Sequence, residues 1–174
     1  MRYETKLILR VGTAILLMVI PINIFNLLLQ TPTMYASYFP IKLLGYDISI
    51  NGDLIEIGEH TLRFVAACTA TSAYYLLTIL ILLTKDIKLR RGIKMLVTGA
   101  LLILLMNVVR IDILLIALME KGINMFESLH IIFWEFVSSL YVVGVWIFLI
   151  RKFKVKTIPA VSDIKELYKK TRRR

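Results

Sequence analysis

Four apolar stretches, Leu7–Leu29, Phe64–Thr84, Met95–Met119 and Leu129–Ile150, decide what this chain can fold into. Each is long enough to cross a hydrocarbon core of about 30 Å, which takes roughly 20 helical residues. No water is present there to satisfy backbone N–H and C=O groups, so runs of this length are read as helices. The remaining composition agrees: 58% of the 174 residues are hydrophobic and 20% charged, with a mean hydropathy of +0.75. A soluble domain of this size could not bury so much apolar surface. The expected fold is an all-α integral membrane protein, a four-helix transmembrane bundle spanning residues 1–150, with a basic tail over 151–174.

The net charge of +10, from 22 Lys+Arg against 12 Asp+Glu, would point to nucleic acid in a soluble protein. Here the basic residues fall between and after the apolar runs, which is a topology signal, and no nucleic-acid partner is expected. Three lie before or at the start of the first run, five between Lys85 and Lys94, and ten after Ile150, so 18 of 22 fall on one side. Both termini are expected in the cytoplasm of a multi-pass plasma-membrane protein. Arg2, Lys6 and Arg10 ahead of an apolar run imitate a signal peptide, but the run is too long and lacks a small-residue cleavage site. Pro21 and Asn23 inside it are expected to kink a spanning helix.

The segment 30–63 reads as an outer loop carrying a β-hairpin: Tyr46 to Ile50 alternates, Asn51-Gly52 is a turn signal, and Asp53 to Ile57 follows. An isolated two-stranded hairpin is marginal, so it is expected to pack on the mouth of the bundle or on a partner. Glu120 to Ser128 reads as a second, short outer loop. The tail from Ser162 to Arg174 has the spacing of a short helix with Ser162 as N-cap, or serves as a solvated topology anchor.

A charged residue inside a spanning helix costs about 2.5 to 3.5 kcal/mol on insertion scales, which singles out Arg110. Asn107, three residues earlier, lies on the same face and can accept from the guanidinium. Cys68, the one cysteine, is placed about a turn inside the outer end of the second span, and His130 at the outer end of the fourth. Nominal depths are about 13 Å for Arg110, 6 Å for Cys68 and 2 Å for His130. An arginine snorkelling outward closes most of that gap. Singly, each has a plainer explanation: Cys68 as a small packing residue, His130 as an interfacial donor, Arg110 as an ion-pair partner. Asp112, about 200° round the helix from Arg110, cannot share its face, which leaves Glu135 as the pairing candidate.

Together the three have a chemical logic. A positive charge favours the thiolate, the reactive form of cysteine. A histidine can move protons to a leaving amine and from an incoming nucleophile, and an arginine can stabilise an oxyanion. Thr71 and Ser72, near the Cys68 face, can donate to a substrate or orient the thiol, or simply pack. One cysteine excludes an intrachain disulfide, and no Cys/His run has zinc-site spacing, so neither a metal nor any other cofactor is expected.

Ala67-Cys68-Thr69-Ala70 opening one span, Asn107-Val108-Val109-Arg110-Ile111 late in the next, and His130 starting the last resemble the exosortase/archaeosortase transpeptidases. The resemblance runs roughly from Asp47 to Ile150 and includes the segment with the Asn51-Gly52 turn. It implies a Cys68, Arg110 and His130 triad. The implied substrates are secreted proteins bearing a C-terminal motif, a transmembrane helix and a basic cluster, cut near the motif outside the membrane. A membrane lipid or another acceptor would then receive the protein. Archaeal origin is implied by the archaeal branch. Two departures stand out: Ala70 lies where many members have glycine, and the chain is short, as a minimal version of the core would be.

Two other function classes fit the same residues. A non-enzymatic scaffold would use Arg110 and the hairpin to hold an anionic ligand or partner helix, and would tolerate Cys68→Ser. A transporter would line a polar path with Asn107, Arg110, Asp112 and Glu135, although four spans without broken, repeated helices argue against it.

Overall fold

The spine of the protein is a 33-residue helix, Leu89–Lys121, about 50 Å long at 1.5 Å per residue. In the computed structural model, which describes residues 22–84 and 87–155 together with residues 8, 12, 13 and 15, the chain before this spine forms helix α1 (Ile22–Leu43), strands β1 (Ile48–Asn51), β2 (Leu54–Ile57) and β3 (His60–Arg63), a 3₁₀ turn (Ala66–Thr69) and helix α2 (Thr71–Leu83). The spine is α3. It is followed by α4 (Ile123–Ile132), a π-helical segment (Phe133–Val137) and α5 (Ser138–Lys152). Lys165 and the rest of the expected tail helix, together with Pro21, lie outside the described residues.

Among the described residues, α3 is the one helix long and apolar enough to cross a membrane. Its buried residues recur at helical spacing: Met95, Gly99, Ile103, Asn107, Arg110, Ile111, Leu114, Leu115 and Leu118. The N-terminal half of this stripe packs with Tyr74, Leu77 and Ile81 of α2 and with Val145 and Leu149 of α5. The C-terminal half packs with Met34 and Ile41 of α1 and with Ile48, Ile55, Ile57 and Phe64. Asn107 and Arg110 sit at the seam between these two apolar clusters.

Close approach in the first cluster depends on Gly99. A Cβ there would lie 2.5 Å from Leu77 Cδ2 and 2.9 Å from Leu149 Cδ1. Small residues that let helices touch are characteristic of membrane interfaces. Gly99→Val is expected to destabilise the protein by about 1 to 3 kcal/mol through overpacking. Thermal unfolding in detergent checks this, and an unchanged midpoint would mean that α2 and α5 do not bear on Gly99.

Several expected boundaries are corrected. Helix α1 does not stop at Leu29 but runs 22 residues to Leu43, through Pro32 and Pro40. Proline removes a helical hydrogen bond, yet Thr33, Met34, Ser37 and Ile41 form a buried stripe along one side of α1. That burial outweighs the two breakers and replaces the first 14 of the 34 residues of the expected loop with helix. The loop expected over Glu120 to Ser128 contracts to a corner at Gly122 (φ +79°), from which α4 starts at once. From α4 through α5 the helical backbone is unbroken, so the helix expected over Leu129–Ile150 begins earlier, at Ile123.

The hairpin gains a strand. β1 pairs with β2, with Ile48 opposite Ile57 and Ile50 opposite Ile55, and β2 pairs with β3, with Ile55 opposite Leu62 and Ile57 opposite His60. Both turns place glycine at the first of two central positions, Gly52 (φ +65°) and Gly58 (φ +56°), the position where a type II′ hairpin turn needs positive φ. The first turn is thus Gly52-Asp53, one residue later than Asn51-Gly52. Ile48, Ile55 and Ile57 bury one face against α1 and α3, so the sheet packs on the helices.

Candidate active site

The largest correction concerns the cysteine. Cys68 is not on a spanning helix: Phe64 and Val65 are non-helical, residues 66–69 form a 3₁₀ turn closed by Cys68 N–H donating to the Val65 carbonyl at 2.8 Å, and α2 begins only at Thr71. Between turn and helix stands Ala70 in the left-handed conformation, φ 53°, ψ 31°. This reversal ends the turn and starts α2 in a new direction. At 13 residues, α2 is about 20 Å long, shorter than the expected span.

Ala70 also explains why glycine suits that position. Left-handed backbone costs an L-residue about 1 to 2 kcal/mol, whereas the extra unfolded-state freedom of glycine costs about 0.4 to 1. Ala70→Gly is therefore expected to stabilise the protein slightly, by up to about 1 kcal/mol. A fall in the unfolding midpoint would show that the alanine methyl, which lines the second cavity described below, has packing value greater than its strain.

The turn is gripped from two helices. From α3, Asn107 Nδ2 donates to the Cys68 carbonyl at 2.8 Å. This replaces the expected contact with Arg110: Asn107 Oδ1, the atom that would accept from the guanidinium, is buried without a hydrogen-bond partner among the described residues. From α1, Gln30 Nε2 donates to the Phe64 carbonyl at 3.2 Å, and Asn26 Oδ1 accepts from the hydroxyls of both Thr69 and Thr71.

A cavity of about 220 Å³ opens beside the turn. Cys68, Arg110 and His130 all line it, together with Arg63, Phe64, Phe126 and aliphatic side chains of β2, β3 and α3. His130 lies on the last turn of α4, where the Phe126 ring meets it edge-on at 5.8 Å. Arg110 is only 5% exposed and shares this cavity wall with Cys68 and His130. At the rim, Arg63 Nε donates to Asp53 Oδ2 at 2.7 Å. That hydrogen bond and charge hold the Asp53 carboxyl below the usual carboxylate range.

Arg110 also faces a second cavity of about 490 Å³, lined by Asn26, Thr71, Ser72, Trp134, Ser138, Ser139 and neighbouring apolar residues. A narrow space beside this second cavity shares Ala70, Arg110 and Ser138 with it and is lined by Asn107 and Tyr141 as well. Thr71 and Ser72, expected near the thiol, therefore line the second cavity instead. The π-helical segment separates the two sets of residues along the last helical stretch. Its register is marked by Ser138 Oγ donating to the Phe133 carbonyl five residues back at 2.7 Å. Before it His130 faces the Cys68 cavity, and after it Ser138 faces the other.

A family model described as transmembrane exosortase matches residues 4–150. The chain belongs to the transmembrane exosortase family. Neither a curated protein nor a solved structure matches it. Exosortases are membrane enzymes of the cysteine peptidase and transpeptidase class, and they act on secreted proteins with C-terminal sorting signals. The match begins well before Asp47 and takes in α1, whose Asn26 and Gln30 hold the cysteine turn. Neither residue was singled out in the sequence. Two polar residues spaced four apart at the end of an apolar run were the available signal.

Proposed function

We propose that this exosortase cleaves the C-terminal sorting signal of secreted proteins through a thioester on Cys68. The observation that supports it is the placement of the cysteine, a buried arginine and a histidine on the walls of one cavity. In this reading Cys68 Sγ, as thiolate, attacks the scissile carbonyl and the oxyanion develops toward Arg110. The C–N bond then breaks as His130 gives its proton to the departing amine. Water, a lipid or an amine next attacks the thioester, transfers its proton to His130, and the thiolate leaves.

The cavity lies in the C-terminal half of α3, away from exposed Arg90, Arg91 and Lys94 at the other end. By the positive-inside rule this supports a site on the outer face and cytoplasmic termini. The sheet stands beside the cavity, where it can meet the motif while the substrate's transmembrane helix lies in the bilayer.

The test is intact mass of a co-expressed substrate carrying a motif, a helix and a basic tail. Expected is loss of the C-terminal segment with the enzyme and not without it. The mass of the new C-terminus distinguishes water from an acceptor. A cut made equally by a Cys68→Ala enzyme would exclude the thioester.

A further inference from the structure

We infer that Asn26 of helix α1 is a positioning residue for the Cys68 turn, so that α1 forms part of the catalytic apparatus. This rests on the proposed role of Cys68 as nucleophile. Thr69 and Thr71 flank Ala70, the residue at which the backbone reverses into α2. Their hydroxyls converge on one acceptor, Asn26 Oδ1, and lie against each other. Both threonines are buried, at 0% and 4% exposure.

Geometry makes this clasp specific to the thiol. Cys68 directly precedes Thr69, and its own carbonyl is held from the opposite side by Asn107. A left-handed alanine is intrinsically unfavourable, so the turn keeps its shape only while both sides hold it. Releasing the α1 side lets residues 68–70 relax toward helix or extended chain and carries Sγ away from Arg110 and His130. An acceptor oxygen on α1 is needed for this, and an aliphatic side chain of the same size cannot serve.

The experiment combines turnover with alkylation of the thiol, which is unambiguous because the chain has one cysteine. Asn26→Leu and Thr71→Val are each expected to lower kcat about tenfold to a hundredfold with KM little changed, from the loss of one or two buried hydrogen bonds. The double variant is expected to lose no more than the worse single one, since both remove the same interaction. Thr71→Ser, which keeps the hydroxyl, is expected to retain most of the turnover. Maleimide alkylation of Cys68 in folded Asn26→Leu protein is expected to be about tenfold faster as the turn opens. Additive losses, or unchanged kcat and alkylation in Asn26→Leu, would overturn the inference. A fall in thermal stability with normal alkylation of the folded protein would reduce Asn26 to a packing residue. If Cys68→Ala itself stays active, the nucleophile assignment fails, while the alkylation arm still reports on the clasp.

Discussion

Replacing Cys68 by alanine is expected to reduce substrate processing by about 10⁴-fold or more, the scale seen when a catalytic nucleophile is removed. The fold is expected to survive. Cys68 is half-buried at the edge of the sheet-side cluster, and its backbone bonds to Val65 and Asn107 do not involve the thiol. Cys68→Ser should be almost as inactive, because a hydroxyl beside one arginine remains un-ionised where a thiol can yield a thiolate. His130→Gln should cost less, about 10² to 10⁴-fold, since it removes proton transfer and leaves the nucleophile. Rates of C-terminal fragment release, with unfolding midpoints as control, check the series. Processing by Cys68→Ala within about tenfold of wild type would make the thiol a packing group, and a scaffold that merely presents substrate to another enzyme would then be the better reading.

How far the residues alone led can be judged helix by helix. The middle of α3 was legible as an apolar run over Met95–Met119, although the helix starts earlier, at Leu89 within the expected Lys85–Lys94 loop, and ends at Lys121, and the alternation around Gly52 announced its hairpin. What failed were places where tertiary contacts decide. Pro32 and Pro40 read as a loop until the burial of Met34 and Ile41 is known. Gly58-Glu59 is a weak turn signal without β2 beside it. Most consequential, Ala66 to Leu83 is continuously apolar or small and reads as one helix. Nothing in its composition reveals a left-handed residue at Ala70, since alanine is the strongest helix former. The trio itself was legible as residue types, order and approximate depth. Its support was not, because Asn107 reaches across 39 residues to a backbone carbonyl and Asn26 across 43 and 45 to two hydroxyls.

Arg110→Met is the variant that separates catalysis from structure. Two stability effects oppose each other: removing a charge from a spanning helix relieves about 2.5 to 3.5 kcal/mol on insertion scales, and losing the contacts of a buried arginine costs a comparable amount. The unfolding midpoint is therefore expected to move little, while processing falls about 10²- to 10³-fold, as when an oxyanion-stabilising donor is lost. Arg110→Lys should recover part of the rate, since it restores the charge without the planar fork. A structural ion pair predicts the reverse pattern. Breaking it would strand a buried carboxylate and cost about 3 to 5 kcal/mol, with the activity of the surviving folded fraction near normal. Arg110 lines both cavities, so its loss is expected to open space between them and, if the proposed thioester forms, to admit water beside it. With Arg110→Met the residual product should therefore shift toward the hydrolysed form, which intact mass reads directly. Residual product carrying an acceptor in wild-type proportion would show that Arg110 does not keep water from the acyl-enzyme.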